Sequence, residues 1–128
     1  MSDWRWVSLN TVLAIHDRQI AEHGGLGGVR DLGLVESALA RPEILDAYGE
    51  PDAADHAAAY LFGLANNHGF ADGNKRTAWV VARLFLKDNG LRLSFDRLEA
   101  IETVESVAGG KLIEAELAEL LRGRVSSA

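Results

Sequence analysis

The ten residues His68-Gly-Phe-Ala-Asp-Gly-Asn-Lys-Arg-Thr77 bring together a base, a carboxylate, a flexible glycine and two cations. The stretch lies where one helical pattern ends and another begins. Lys75 and Arg76 fall in the first turn of the second helix, close to the positive end of its dipole. A cation there costs roughly a few tenths of a kcal/mol. Two in succession imply an anion for them to hold, and the free N–H groups of a helix start already favour phosphate.

Each residue type has a chemistry to match. His68 is of the type best suited to take a proton from a hydroxyl at neutral pH. Asp72 is either the N-cap of the following helix or a Mg2+ ligand, because hard cations on nucleotide phosphates are held by one or two carboxylates. Gly73 permits a backbone conformation or a ligand approach that a side chain would block. Asn74 either caps the helix or orients a phosphate oxygen. Phe70 is expected to anchor the loop in the core without a chemical role. Two rival motifs are absent. A P-loop needs Gly-x-x-x-x-Gly-Lys-Ser/Thr after a strand; here Asn74 separates Gly73 from Lys75, and Arg76 takes the hydroxyl position. A zinc centre would need clustered ligands, yet His16, His23, His56 and His68 form no His-Glu-x-x-His and there is no cysteine.

The elements that must position this loop are helical. Leu9, Val12, Leu13, His16 and Ile20 form one stripe, ended by Gly24-Gly25. The run Gly24 to Gly28 is a loop and a candidate lid. Asp31 suits the N-cap of a short helix through Val35 and Leu39 that stops before Pro42. Residues 42–51 hold both prolines and are expected to form a surface connection. The Ala-rich segment from Asp52 to about Asn67 turns Ala57, Tyr60, Leu61 and Leu64 to one face. Asn74 to Asn89 is a second strong helix, with Ala78, Val81, Ala82 and Phe85 inward and Gly90 just past its end. Residues 91–95 suit a short extended piece, two helices follow over about 96–108 and 112–122, and the tail from Val125 is expected to fray. Trp4 and Trp6 are packing residues by expectation. The fold class is therefore all-α, a compact single-domain bundle of about six helices over residues 1–128.

Composition narrows the function. The chain has 128 residues, 48% of them apolar, and a formal net charge of −6. That balance argues against a broad nucleic-acid-binding surface while leaving room for a local cationic pocket. Without cysteine there is neither disulfide nor thiolate chemistry. Met1 to Trp6 lacks the apolar run of a signal peptide, and no stretch approaches the ~18 apolar residues of a membrane span. A cytoplasmic protein with no membrane and no direct nucleic-acid partner is expected.

The loop resembles the signature of the Fic/Doc (Fido) superfamily, in the variant of the death-on-curing (Doc) branch, which has Lys at position 75 where Fic adenylyltransferases have Gly. The flanks are similar too: Ile15-His-Asp-Arg18, Glu22-His-Gly-Gly-Leu26, Gly28-Val-Arg-Asp31 and Leu34-Val-Glu-Ser-Ala-Leu-Ala-Arg-Pro42 look like Doc-family text. The resemblance covers roughly residues 9–122. It implies a Fido fold and the toxin half of a bacterial toxin–antitoxin pair. Doc toxins use ATP to phosphorylate a threonine of elongation factor Tu, with the nucleotide inverted relative to Fic enzymes. Carried over, His68 would be the general base and Asp72 would hold Mg2+. Gly73, Asn74, Lys75 and Arg76 would cradle the phosphates. Phosphoryl transfer needs such positioning and charge neutralisation, with little covalent work by the protein.

Two departures bear on the alternatives, adenylylation by a Fic-type enzyme or a non-catalytic binding module of the same fold. Fic adenylyltransferases usually carry a further Arg three residues after the first; here Trp79 stands there. Many also hold an inhibitory Ser/Thr-x-x-x-Glu helix in cis, and no Ser or Thr of this chain has a Glu four residues later. Silencing is then expected in trans, by a prevent-host-death-type antitoxin that binds through its C-terminal segment.

Overall fold

A computed structural model describes residues 3–128; residues 1 and 2, on which the signal-peptide and domain expectations partly fall, lie outside the described residues. Among the described residues the elements are α1 (Leu9–His23), α2 (Leu32–Ala47), α3 (Ala53–Asn67), α4 (Asn74–Asp88), β1 (Leu91–Leu93), α5 (Arg97–Ala108), α6 (Glu114–Arg122) and β2 (Val125–Ser127). The all-α expectation holds, apart from one small antiparallel strand pair. No helix among the described residues is long and apolar enough to cross a membrane.

Local chemistry starts most of the helices. Ser8 and Asp31 cap α1 and α2, each accepting from the backbone three residues on, at 3.2 Å. Asp52 and Asp55 form a reciprocal capping box on α3, and Asp96 and Glu99 do the same on α5. Each such cap contributes about 1 kcal/mol. Arg122 on α6 reaches back to both carboxylates of the α3 box, and Arg124 forks onto Glu99. These arginines hold the Asp52 and Glu99 carboxyls below the usual range, Glu99 at about 2.

The core is built around α3. Eleven of its fifteen residues are buried, so it is apolar all round, as a central helix must be. α2, α4, α5 and α6 pack against it, and α1 packs on α4. Its alanines allow close helix approach, and Gly63 allows the closest: a Cβ there would meet the Ala38 Cβ of α2 at 3.1 Å. Tyr60 is buried, and its hydroxyl accepts from Val7 N at 3.0 Å.

Two sequence expectations are corrected. α2 does not stop before Pro42 but runs through it to Ala47, so the surface connection shrinks to the residues just before Ala53. A mid-helix proline costs about 3 kcal/mol through a lost hydrogen bond and a ring clash; here Pro42 is buried, and its packing offsets that cost. The tail does not fray. Val125–Ser127 pairs with Leu91–Leu93, Leu93 opposite Val125, and Ala128 N donates to Gly90 O at 3.0 Å. A smaller shift moves the start of the last helix from about 112 to Glu114.

The tryptophans of the N-terminal segment pack, as expected. Trp4 and Trp6 set their rings edge-on to His56, both at 5.0 Å between centroids, and lie at 5.8 Å from Phe85. His56 is fully buried. Its Nε2–H donates to Asp46 Oδ1 at 3.1 Å, leaving Nδ1 without a partner. Burial pushes the imidazole pKa down, and Asp46 opposes that only in part. The unfolded chain therefore binds the proton more readily. The His56 contribution to stability is full above the ordinary value of 6.5 and is lost as pH falls below it. Thermal melts between pH 7.5 and 5.5 should show a falling melting temperature, and His56→Gln should flatten that slope. An equal slope in the variant would assign the effect to another group.

Candidate active site

The loop between α3 and α4 begins with strain. α3 ends at Asn67, and His68 takes the left-handed C-cap conformation with φ 53°, the one described non-glycine residue with positive φ. Its side chain is exposed. Its carbonyl accepts from Arg30 Nε at 2.9 Å. Gly69 O accepts from both Arg30 N and Asp31 N at 2.8 and 2.9 Å, and Ala71 N donates to Gly28 O. The segment 28–31 is thus strapped along the loop and fixes its backbone.

From below, the loop is held by two side chains. Phe70 is buried, as expected, and lies flat on the His16 ring, 3.8 Å between centroids with 7° between planes. The His16 Nε2–H donates to Asp72 O at 2.7 Å. Asn74 neither caps α4 nor stays free; its amide accepts from Phe70 N and donates to Phe70 O, both at 3.0 Å. This pair of bonds closes the loop on itself.

Asp72 is not the N-cap of α4. That position belongs to Gly73, with φ 77° and no side-chain cap, so the first N–H groups of α4 have no capping side chain. Asp72 Oδ1 accepts from Gly73 N at 2.9 Å. The other oxygen, Oδ2, lies against Gly25: a Cβ on Gly25 would come within 2.6 Å of it. Asp72 is exposed, and its Oδ2 makes no hydrogen bond among the described residues, so this oxygen could meet a cation. Among the described residues no three His, Cys, Asp or Glu gather around it. A lone carboxylate could hold Mg2+ only together with other oxygen ligands, as from phosphates, and does not suit a protein-caged metal.

Lys75 and Arg76 lie in the first turn of α4, as expected, and both are exposed. Lys75 Nζ pairs with Glu105 Oε1 of α5 at 2.8 Å. Both side chains are about half exposed, and such a pair is worth about 1 kcal/mol or less. Arg76 has no ion pair among the described residues. A cleft of about 710 Å³ opens beside these two cations, between α4 and α5.

Sequence reasoning placed His68, Asp72, Gly73, Asn74, Lys75 and Arg76 together, and the structure brings them onto one loop and helix start. It missed His16, Arg30 and Gly25. His16 had a signal, a polar residue inside an apolar stripe. Gly25 had one in the glycine run.

An exposed histidine, an exposed carboxylate and two cations thus lie together at an uncapped helix start of a small helical domain. The comparisons are specific. A family model of the Fic/DOC family matches residues 6–86, and the chain belongs to this family. It is 37% identical over 125 residues to "Protein kinase doc" of Escherichia phage P1, covering 97% of this chain and 98% of that protein. It is 51% identical over 77 residues to "Toxin Doc" of Mycolicibacterium smegmatis, covering 57% of this chain and 58% of that one.

Proposed function

We propose that residues 1–128 form one Doc-type toxin domain, a cytoplasmic phosphotransferase that moves the γ-phosphate of ATP to a threonine hydroxyl of elongation factor Tu and so arrests protein synthesis. The observation that carries this reading is the loop: His68, Asp72 and the Lys75–Arg76 pair converge at the uncapped start of α4 on a backbone clamped from both sides. Nearly full-length similarity to a protein named as a kinase supports the reaction class.

In this reading His68 takes the proton from the threonine hydroxyl as its oxygen bonds to the γ-phosphorus. The bond from that phosphorus to the β–γ bridging oxygen breaks, and ADP leaves with the electron pair. Lys75 and Arg76 hold the phosphates, and the free N–H groups after Gly73 and the Asn74-braced loop keep them in place. Asp72 would hold Mg2+, which supplies further neutralisation of phosphate charge. Restraint would come from a prevent-host-death-type antitoxin whose C-terminal segment folds onto the domain. Leu26, Val29 and Leu32, on and beside the segment strapped to the loop, are exposed and would offer protein partners apolar contacts.

Intact-mass spectrometry of elongation factor Tu after incubation with the protein and ATP-Mg tests the reaction. A gain of one phosphate is expected. A gain of AMP would make the protein an adenylyltransferase, and no gain in the presence of bound nucleotide would overturn this acceptor. Co-expression with the neighbouring open reading frame, followed by purification, tests the partner.

A further inference from the structure

The peptide between Asp72 and Gly73 is held at both ends. Its carbonyl accepts from His16 Nε2–H at 2.7 Å, and its N–H donates to the Asp72 carboxylate at 2.9 Å. The C=O and N–H of a trans peptide point in opposite directions. The carbonyl therefore faces α1, where His16 is buried, and the N–H faces the side of the exposed carboxylate. The His16 ring has little freedom of its own, because it lies flat on Phe70. A Cβ on Gly73 would stand 3.2 Å from Ile20 Cδ1 and 3.6 Å from the His16 ring, so this peptide is seated directly on one turn of α1.

The backbone alone does not fix this orientation. Gly73 sits at φ 77° and ψ 14°. Turning the 72–73 peptide over would carry that φ to about −100°, the exchange that relates type II to type I turns. Glycine takes both conformations at little cost. The two orientations differ in electrostatics, because each peptide unit carries a dipole of about 3.5 D. As it stands, the negative end of this dipole is buried against His16, and the positive end leads into the uncapped N–H groups of α4. Turned over, the carbonyl would face the Asp72 carboxylate and any anion at the helix start.

We propose that His16 is the positioning residue of the phosphate site, its Nε2–H locking the 72–73 peptide with the carbonyl inward. This role rests on the reading of the 68–76 loop as a phosphate site and adds what keeps the loop in its binding conformation. Without the donor a buried carbonyl is stranded, and the turned-over form gains population. Affinity for an anion then falls in proportion to the fraction of chains still in the competent form.

Titration calorimetry of the full chain with inorganic tripolyphosphate and Mg2+ tests this, alongside NMR of the Gly73 amide. The informative pair is His16→Gln and His16→Met, side chains of similar length of which only Gln keeps an N–H donor. His16→Phe is a second variant without a donor, and it keeps a flat ring on Phe70. His16→Met and His16→Phe should each weaken tripolyphosphate about tenfold, the scale of one stranded buried carbonyl. Both should also displace or broaden the Gly73 amide resonance. His16→Gln should stay within about threefold of wild type, since its donor can still reach the carbonyl. Val107→Ala opens a cavity in the core at α5, and it should lower the melting temperature yet bind tripolyphosphate as wild type does. Wild-type affinity in the donor-free variants overturns the lock. So does a His16→Gln as weak as His16→Met, which makes ring shape and not the donor the cause. Equal weakening by Val107→Ala reduces His16 to general stability and also overturns it. Failure of wild type itself to bind tripolyphosphate refutes the phosphate reading, and the positioning role with it.

Discussion

His68→Ala removes growth arrest and lowers phosphoryl transfer by roughly 10²–10⁴-fold, the worth of a general base, while the melting temperature stays where it was. The structure separates the two outcomes. The imidazole is exposed, and it is the carbonyl of His68, not the ring, that binds Arg30. Alanine keeps that carbonyl and takes the same left-handed backbone at a similar strain. Growth of cells expressing the variant at matched level is the first measurement, and transfer rate on purified acceptor the second. A variant that still arrests growth would make His68 a turn residue and nothing more.

Asp72→Asn should be almost as damaging to activity and almost as harmless to the fold. A bound metal supplies several kcal/mol of charge stabilisation in such transfers, so a loss on the order of 10²-fold or more is expected. Asn retains an oxygen for Gly73 N–H, the bond at 2.9 Å that Asp72 makes in the loop, but surrenders the full charge beside Gly25. Because Gly73 and not Asp72 caps α4, helix stability does not depend on the carboxylate. Rate as a function of Mg2+ concentration, with a melting curve alongside, checks both halves. A fall of many degrees in melting temperature would return Asp72 to a structural role.

The loop and the helices around it were legible because their signals are local. A capping residue, a 3.6-residue apolar rhythm and a terminal glycine each act within a turn or two. What was not legible depends on distant partners. Pro42 carries the local mark of a helix stop, and only its burial in the finished core lets α2 pass through it. Val125–Ser127 has no strand signal of its own; it is ordered because β1, more than thirty residues earlier in the chain, offers an open edge. His16 looked like one more member of an apolar stripe, and its bond to Asp72 O spans 56 residues. The site was legible as a set of residues, but the clamp that shapes it was not.

The left-handed backbone at His68 carries an evolutionary consequence. A side chain in that conformation costs about 1 kcal/mol that glycine would not, so histidine stands at position 68 against the backbone's own preference. Mutational decay at this position then yields disarmed copies that are as sturdy as the parent, or sturdier. On the proposed reading such copies persist in the cell and still occupy the antitoxin. A lineage that carries both alleles would find its antidote diluted by harmless decoys, and the armed copy would be the more dangerous for it.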